Sequence, residues 1–263
     1  MMQNRIVLLL CVVALIAPTA INAQTTVFSD GFEGVTPVAL PDASKWDSSF
    51  ATEFPNTSYL AVEGGLGIGS SNALVVKRVD PNLGQAKALF TPVTSGTVEI
   101  SLDYANAAPN AGILNFMFNW DGGGSLVMEA ATYDSGGSGS RLHWNHAGSG
   151  HTPFAAQGGG DLIFNASPTQ TYNDVKFTID LDSVANNVVA ELNGVVSDPV
   201  SVNFGAGGLE NFWVRGWQNT QAALVDDVLI TIVPEPSSMC LVVCAACGLL
   251  AYQRRRRESL DQR

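Results

Sequence analysis

The residues of this chain best suited to chemistry lie in LENFWVRGWQN, where Asn211, Trp213, Arg215, Trp217 and Asn219 alternate with Phe212 and Val214. Successive side chains of an extended strand point to opposite faces, so two indoles, a guanidinium and two amides share one face. Such a face can stack on sugar rings and hydrogen-bond their hydroxyls, which makes Trp213, Arg215 and Trp217 a candidate ligand platform. In the opposite phase the tryptophans fill the core, in keeping with how deeply tryptophan is buried on average.

The three histidines, His143, His146 and His151, all fall within HWNHAGSGH. Imidazole is a common transition-metal ligand, and Asp134 or Asp161 is available as a fourth donor. The i, i+3, i+8 spacing matches no metalloenzyme pattern, and a strand through this stretch would put the side chains on opposite faces. No G-x-S-x-G elbow is present for a serine nucleophile. The glycine clusters at 122–124, 136–139, 158–160 and 205–208 lack the context of a phosphate loop and read as hairpin tips and loops.

The elements that must position these residues read as strands. TVEISLDYA alternates Val98, Ile100, Leu102 and Tyr104 with Glu99, Ser101 and Asp103, and DVKFTIDLD alternates Val175, Phe177, Ile179 and Leu181 with polar residues. ILNFMFNW sets Leu114, Phe116, Phe118 and Trp120 against Asn115, Met117 and Asn119. Asn193-Gly194, between NVVAEL and VVSDPV, suits the two positive φ values of a type I′ hairpin turn. TVFSD, ALVVKRV, KALFT, SLVMEAATY, LHWN, FWVRGW and ALVDDVLITIV add further strands. Trp46 and Trp144 lie in loop-like context. Ten or more strands between Gly, Asn, Asp and Pro clusters predict an all-β antiparallel sandwich, most economically a jelly roll.

In such a sandwich the first and last strands commonly pair, which would gather Asp30, Glu33, Asp226 and Asp227. Several carboxylates and carbonyls there could hold a structural calcium, a cation that takes six to eight hard oxygen ligands. Phe28-Ser29-Asp30-Gly31-Phe32-Glu33 and Val225-Asp226-Asp227-Val228 resemble the first and last strands of concanavalin A-like and carbohydrate-binding-module jelly rolls. The resemblance implies the same fold, and a calcium at this place. Glycosidases need two acids flanking the scissile bond. Jelly-roll glucanases carry them on a Glu-x-Asp-x-x-Glu strand, whereas Glu99 is followed by Ile-Ser-Leu-Asp with no third acid in register.

The chain has 263 residues and a formal charge of -11. Between Gln24 and Pro234 seven basic residues face 21 acidic ones, a balance that repels phosphate backbones and excludes nucleic acid as a partner. MMQNRIVLLLCVVALIAPTAINA, residues 1–23, reads as a secretory signal peptide, with Arg5, an apolar run from Ile6 to Ala17 and small residues before a cut after Ala23. All four cysteines, Cys11, Cys240, Cys244 and Cys247, lie in the two hydrophobic ends, so residues 24–232 must fold without disulfides.

After this domain come Pro234-Glu235-Pro236, an apolar run from Met239 to Tyr252, and Arg254, Arg255, Arg256 and Arg257. The prolines hold the chain extended. The run is barely long enough to span a bilayer as a helix, and the arginines mark its cytoplasmic side. A plain membrane anchor is the alternative, though it needs no Pro-Glu-Pro. Residues 233–257 resemble the PEP-CTERM sorting signal of Gram-negative bacteria, followed by a short tail, 258–263. The resemblance implies exosortase as a partner, transient anchoring in the inner membrane, and transfer to the cell surface or an extracellular polysaccharide matrix. The expectation is an exported, non-enzymatic, glycan-binding or structural β-sandwich. A polysaccharide lyase or glycosidase on the same fold is the alternative.

Overall fold

A computed structural model of the chain describes residues 24–35, 40–48, 60–76, 78–79, 82–106, 114–120, 124–131, 141–146, 152–164, 171–183, 185, 187–202, 208–216 and 222–233. The signal peptide, Pro234 to Pro236, Arg254 to Arg257 and Trp217 lie outside these residues. Among the described residues no helix is long and apolar enough to cross a membrane.

The strands are Thr25–Asp30 (β1), Trp46–Asp47 (β2), Leu60–Gly64 (β3), Asn72–Val76 (β4), Arg78–Val79 (β5), Asn82–Leu83 (β6), Gln85–Ala88 (β7), Thr97–Asn106 (β8) and Leu114–Trp120 (β9). They continue with Gly124–Ala131 (β10), Arg141–His146 (β11), Thr152–Pro153 (β12), Asn173–Asp180 (β13), Val188–Leu192 (β14), Val195–Val196 (β15), Leu209–Gly216 (β16) and Ala223–Val233 (β17). An eight-stranded sheet has the order β15-β14-β13-β8-β17-β4-β3, with β1 also paired to β17; a seven-stranded sheet has the order β12-β11-β10-β9-β16-β7-β2. The long ladders are antiparallel, as in β8 with β13 and β9 with β16. The expected all-β sandwich is therefore the observed one.

Alternation decides which face each strand buries. Val98, Ile100, Leu102 and Tyr104 of β8 pack with Val175, Phe177 and Ile179 of β13 in one core. Their polar neighbours line the outer face, where Lys176 Nζ lies 3.0 Å from Glu99 Oε1. Asn193 (φ 51) and Gly194 (φ 79) form the left-handed pair of the predicted hairpin turn, and Leu192 faces Val195 across it.

β17 breaks its own alternation. Ala223 and Val225 enter the core on odd numbers and Val228 and Ile230 on even ones. The phase shifts at Asp226-Asp227, where Asp227 has φ 47, the signature of a bulge. β17 pairs with β4 over Ala223 to Val225. Gly31, just after β1, comes so close to the bulge that a Cβ there would lie 2.9 Å from Asp227 Oδ1. The bulge thus marks where β17 exchanges β4 for β1 as its neighbour.

Trp46 is core rather than loop, at 1% exposure. Its ring meets Phe28 edge-on at 5.0 Å and Phe32 in a stacked arrangement at 5.9 Å. Its Nε1 donates to Asp30 Oδ2 at 2.7 Å, while Asp30 Oδ1 accepts from Phe32 N at 3.0 Å and Lys45 Nζ at 3.2 Å. Replacing Asp30 with Ala strands a buried indole N–H and a backbone N–H. Asp30→Ala should lower stability by about 3 kcal/mol in urea unfolding. A loss below about 1 kcal/mol would show that the carboxylate holds little.

Candidate functional site

On β16 the core takes Phe212 and Val214, both at 0% exposure, while Asn211, Trp213 and Arg215 stand half-buried on the opposite face. The phase follows from what lies opposite. Phe212 pairs with Ala88 and Val214 with Ala86, small buried residues that leave core volume to the aromatic and the valine. The reverse phase would bring Arg215 and Asn211 inside and desolvate a guanidinium. Of the two phases open in the sequence, the one with tryptophan in the core is excluded for Trp213.

Trp213 Nε1 donates to Asn211 Oδ1 at 2.5 Å, and Lys87 Nζ lies 5.5 Å from the centroid of its ring. Lys87 and Gln85 alternate with the buried alanines of β7, and Asp47 follows the buried Trp46. The register aligns two rows across this sheet. One runs Asp47, Lys87, Trp213, Met117, Val127, Asn145, and the other Gln85, Arg215, Asn115, Glu129, His143. His143 is buried at 6% exposure, and beside it Arg141 Nε lies 3.2 Å from Asp161 Oδ2.

Sequence inspection missed the cross-strand neighbours Glu129 and His143. They are 14 positions apart and meet only through the β10–β11 register. A count of strand alternation on both sides of the intervening glycine-rich segment was the available signal. His143 and His146 both lie on β11, three positions apart. No metal-binding group of three or more His, Cys, Asp or Glu occurs among the described residues.

The four acids expected around calcium lie near one another in the chain's topology but do not form one ligand set. Asp30 has both oxygens on N–H donors, one of them an ammonium. Asp226 Oδ2 accepts from Ile68 N at 3.0 Å and Ser71 Oγ at 3.2 Å, and its Oδ1 from Asp227 N at 2.9 Å. Glu33 Oε1 accepts from Asn72 N at 2.8 Å. Asp30 and Asp226 direct both carboxylate oxygens at hydrogen-bond donors, and Glu33 one of its two. These acids fasten loops to strands. The close approach depends on Gly67, where a Cβ would collide with Asn72 O and Asp226 Oδ2.

On the outer face of the eight-stranded sheet, a cavity of about 620 Å³ is lined by Gly65, Gly67, Asp103, Tyr172, Asp174 and Asn193 among others. Asp103 and Asp174 are cross-strand neighbours. Burial, then the charges of Asp174, Asp227 and Asp226, pushes the Asp103 carboxyl up to about 6. Burial also raises Asp226, opposed by its backbone N–H bonds. Tyr172, whose hydroxyl donates to Leu66 O at 2.7 Å, is raised by burial and then by the charges of Asp226, Asp103 and Asp227.

No protein-family model and no curated protein matches the chain. Solved structures do match in shape. An endo-1,3-beta-glucanase from Streptomyces sioyaensis superposes with a TM-score of 0.53 at 16% identity, over 80% of this chain and 96% of that one. An endo-acting O-glycanase expressed by human gut microbiota gives 0.54 at 11% identity, over 80% and 100%. The potassium-bound carbohydrate recognition domain of Emp46p gives 0.53 at 11% identity, over 78% and 95%. The fold is a concanavalin A-like jelly roll, an architecture shared by glycan-cleaving enzymes and lectin domains.

A carboxyl whose folded pKa is raised is destabilising when ionised. The penalty is absent below the ordinary value of 3.8, grows as pH rises towards 6, and is complete above it. Asp103→Asn should therefore raise the melting temperature at pH 7 and leave it unchanged at pH 4. Thermal denaturation at both pH values checks this, and an equal shift at each would assign the effect to packing rather than charge.

Proposed function

We propose that the protein is an exported, non-enzymatic glycan-binding sandwich whose ligand face is the outer face of the seven-stranded sheet around Trp213, Arg215 and Lys87. The observation that carries this reading is the placement of Trp213. Its ring lies on the solvent side of a central strand and is fixed by a hydrogen bond to Asn211. An indole held this way, with amides and cations beside it, suits stacking on a sugar ring while the flanking groups bond its hydroxyls.

The acids in the two rows argue against glycosidase chemistry. Asp47 and Glu129 are four strands apart, about 20 Å at the usual strand spacing, whereas a glycosidase pair needs roughly 5–9.5 Å. One observation favours the second reading, a polysaccharide lyase or other glycan-active enzyme: the Glu129–His143 neighbours share a row with Arg215. Histidine and glutamate are residue types from which proton-abstracting pairs are drawn. Release of reducing ends or unsaturated sugars from a polysaccharide panel would establish that reading in place of the first.

The delivery route rests on the sequence of the two ends. In this reading the signal peptide exports the chain, Pro234-Glu235-Pro236 with Arg254 to Arg257 presents it to an exosortase, and the domain reaches the surface or polysaccharide matrix. Mass spectrometry of the protein from its host should find residues 1–23 removed, the chain ending near Pro236, and the product in the surface fraction. An intact tail in the inner membrane would overturn the sorting route.

For the ligand face, Trp213→Ala should weaken binding to a retained glycan at least tenfold, as a central aromatic anchor does. Stability should fall by less than about 1.5 kcal/mol, because the ring is outside the core. Glycan-array binding followed by calorimetry checks both. Unchanged affinity would remove Trp213 from the site.

A further inference from the structure

The charge of the domain is distributed with a purpose visible at this face. Seven basic residues oppose 21 acidic ones between Gln24 and Pro234, so most of the surface repels a polyanion. Lys45 is joined to Asp30, and Lys176 to Glu99 on the other sheet. Three of the remaining basic residues, Lys87, Arg141 and Arg215, belong to the outer face of the seven-stranded sheet. Arg141 is joined to Asp161. Lys87 and Arg215 flank Trp213, one directly across the β7–β16 ladder and the other two residues along the same strand.

Among the described residues no ion pair holds Lys87. Asp47 is its cross-strand neighbour but makes no ion pair with it, and the ammonium instead sits by the indole at 5.5 Å. A cation–π contact of this kind at a half-open site is weak and leaves the ammonium donors available. Arg215 brings a planar fork of five N–H donors, enough to keep a protein contact and still meet a ligand carboxylate.

We propose that the Trp213 face selects acidic glycans: a uronate-type ring stacks on the indole and its carboxylate is received by Lys87 and Arg215. The inference rests on the glycan-binding reading above and adds the class of ligand. It also differs from capture through a divalent cation, which would use the acidic surface and require metal. The acidic balance of residues 24–234 disfavours approach of an acidic polymer over much of the domain, so the cations beside Trp213 sharpen the choice of site.

The test uses the purified full-length protein, with polygalacturonate and the same polymer after chemical reduction of its carboxyls, both in EDTA, read by affinity electrophoresis. Binding to polygalacturonate should be strong in EDTA and weaken at least tenfold on carboxyl reduction. Lys87→Gln should weaken it by about tenfold, the loss of one charge-assisted hydrogen bond, whereas Lys176→Gln, which changes net charge equally on the other sheet, should alter it less than twofold. Equal binding of both polymers, with Trp213→Ala abolishing each, would overturn the acidic preference and leave glycan binding standing. Binding that vanishes in EDTA would overturn direct recognition in favour of a metal bridge. Failure of a wider glycan array as well would overturn glycan binding itself.

Discussion

The Asp30 carboxylate is the contact on which the two-sheet arrangement most depends. It ends β1, a strand of the eight-stranded sheet, and accepts from the indole of Trp46 in β2, at the edge of the seven-stranded sheet. A buried carboxylate would be costly alone, but an indole, a backbone N–H and an ammonium share its charge. Phe28 and Phe32 then close around the same tryptophan, so one polar contact and one aromatic cluster fasten the sheets together. Two further acids, one in the β17 bulge and one after β1, act in a similar way. Asp226 holds the segment around Ile68, and Glu33 holds the start of β4.

With the sheets fastened, β16 has little choice of phase. Ala86 and Ala88 leave room on the core side, and Phe212 and Val214 fill it. Trp213 and Arg215 are consequently turned outward by the packing of their neighbours. The candidate ligand face is thus a by-product of core complementarity: the residues turned to solvent are presented by the residues that fill the core.

The sequence made some of this legible. β8 and β13 alternate without interruption, and Asn193-Gly194 states its turn in two residues, because these signals are local. The phase of β16 was undetermined, since aromatic residues occupy both faces and only the alanines of β7, more than 120 positions away, decide between them. The donors that hold Asp30 and Asp226 come from Trp46 and the Ile68 segment, contacts that no local pattern records. Trp46 read as a loop residue because β2 has only two residues. Glu129 and His143 were hidden for a related reason, as their proximity exists only in the register of a ladder.

The order of the strands carries a kinetic consequence. β16 and β17, the last to be synthesised, occupy the interior of their sheets, with β17 between β8 and β4 and β16 between β9 and β7. Until those segments arrive, each sheet consists of two halves with no common partner, and the contacts that close it join distant parts of the chain. Contacts of such long sequence separation make folding slow. Each sheet is therefore completed at its centre last, when β16 and β17 join the halves on either side of them.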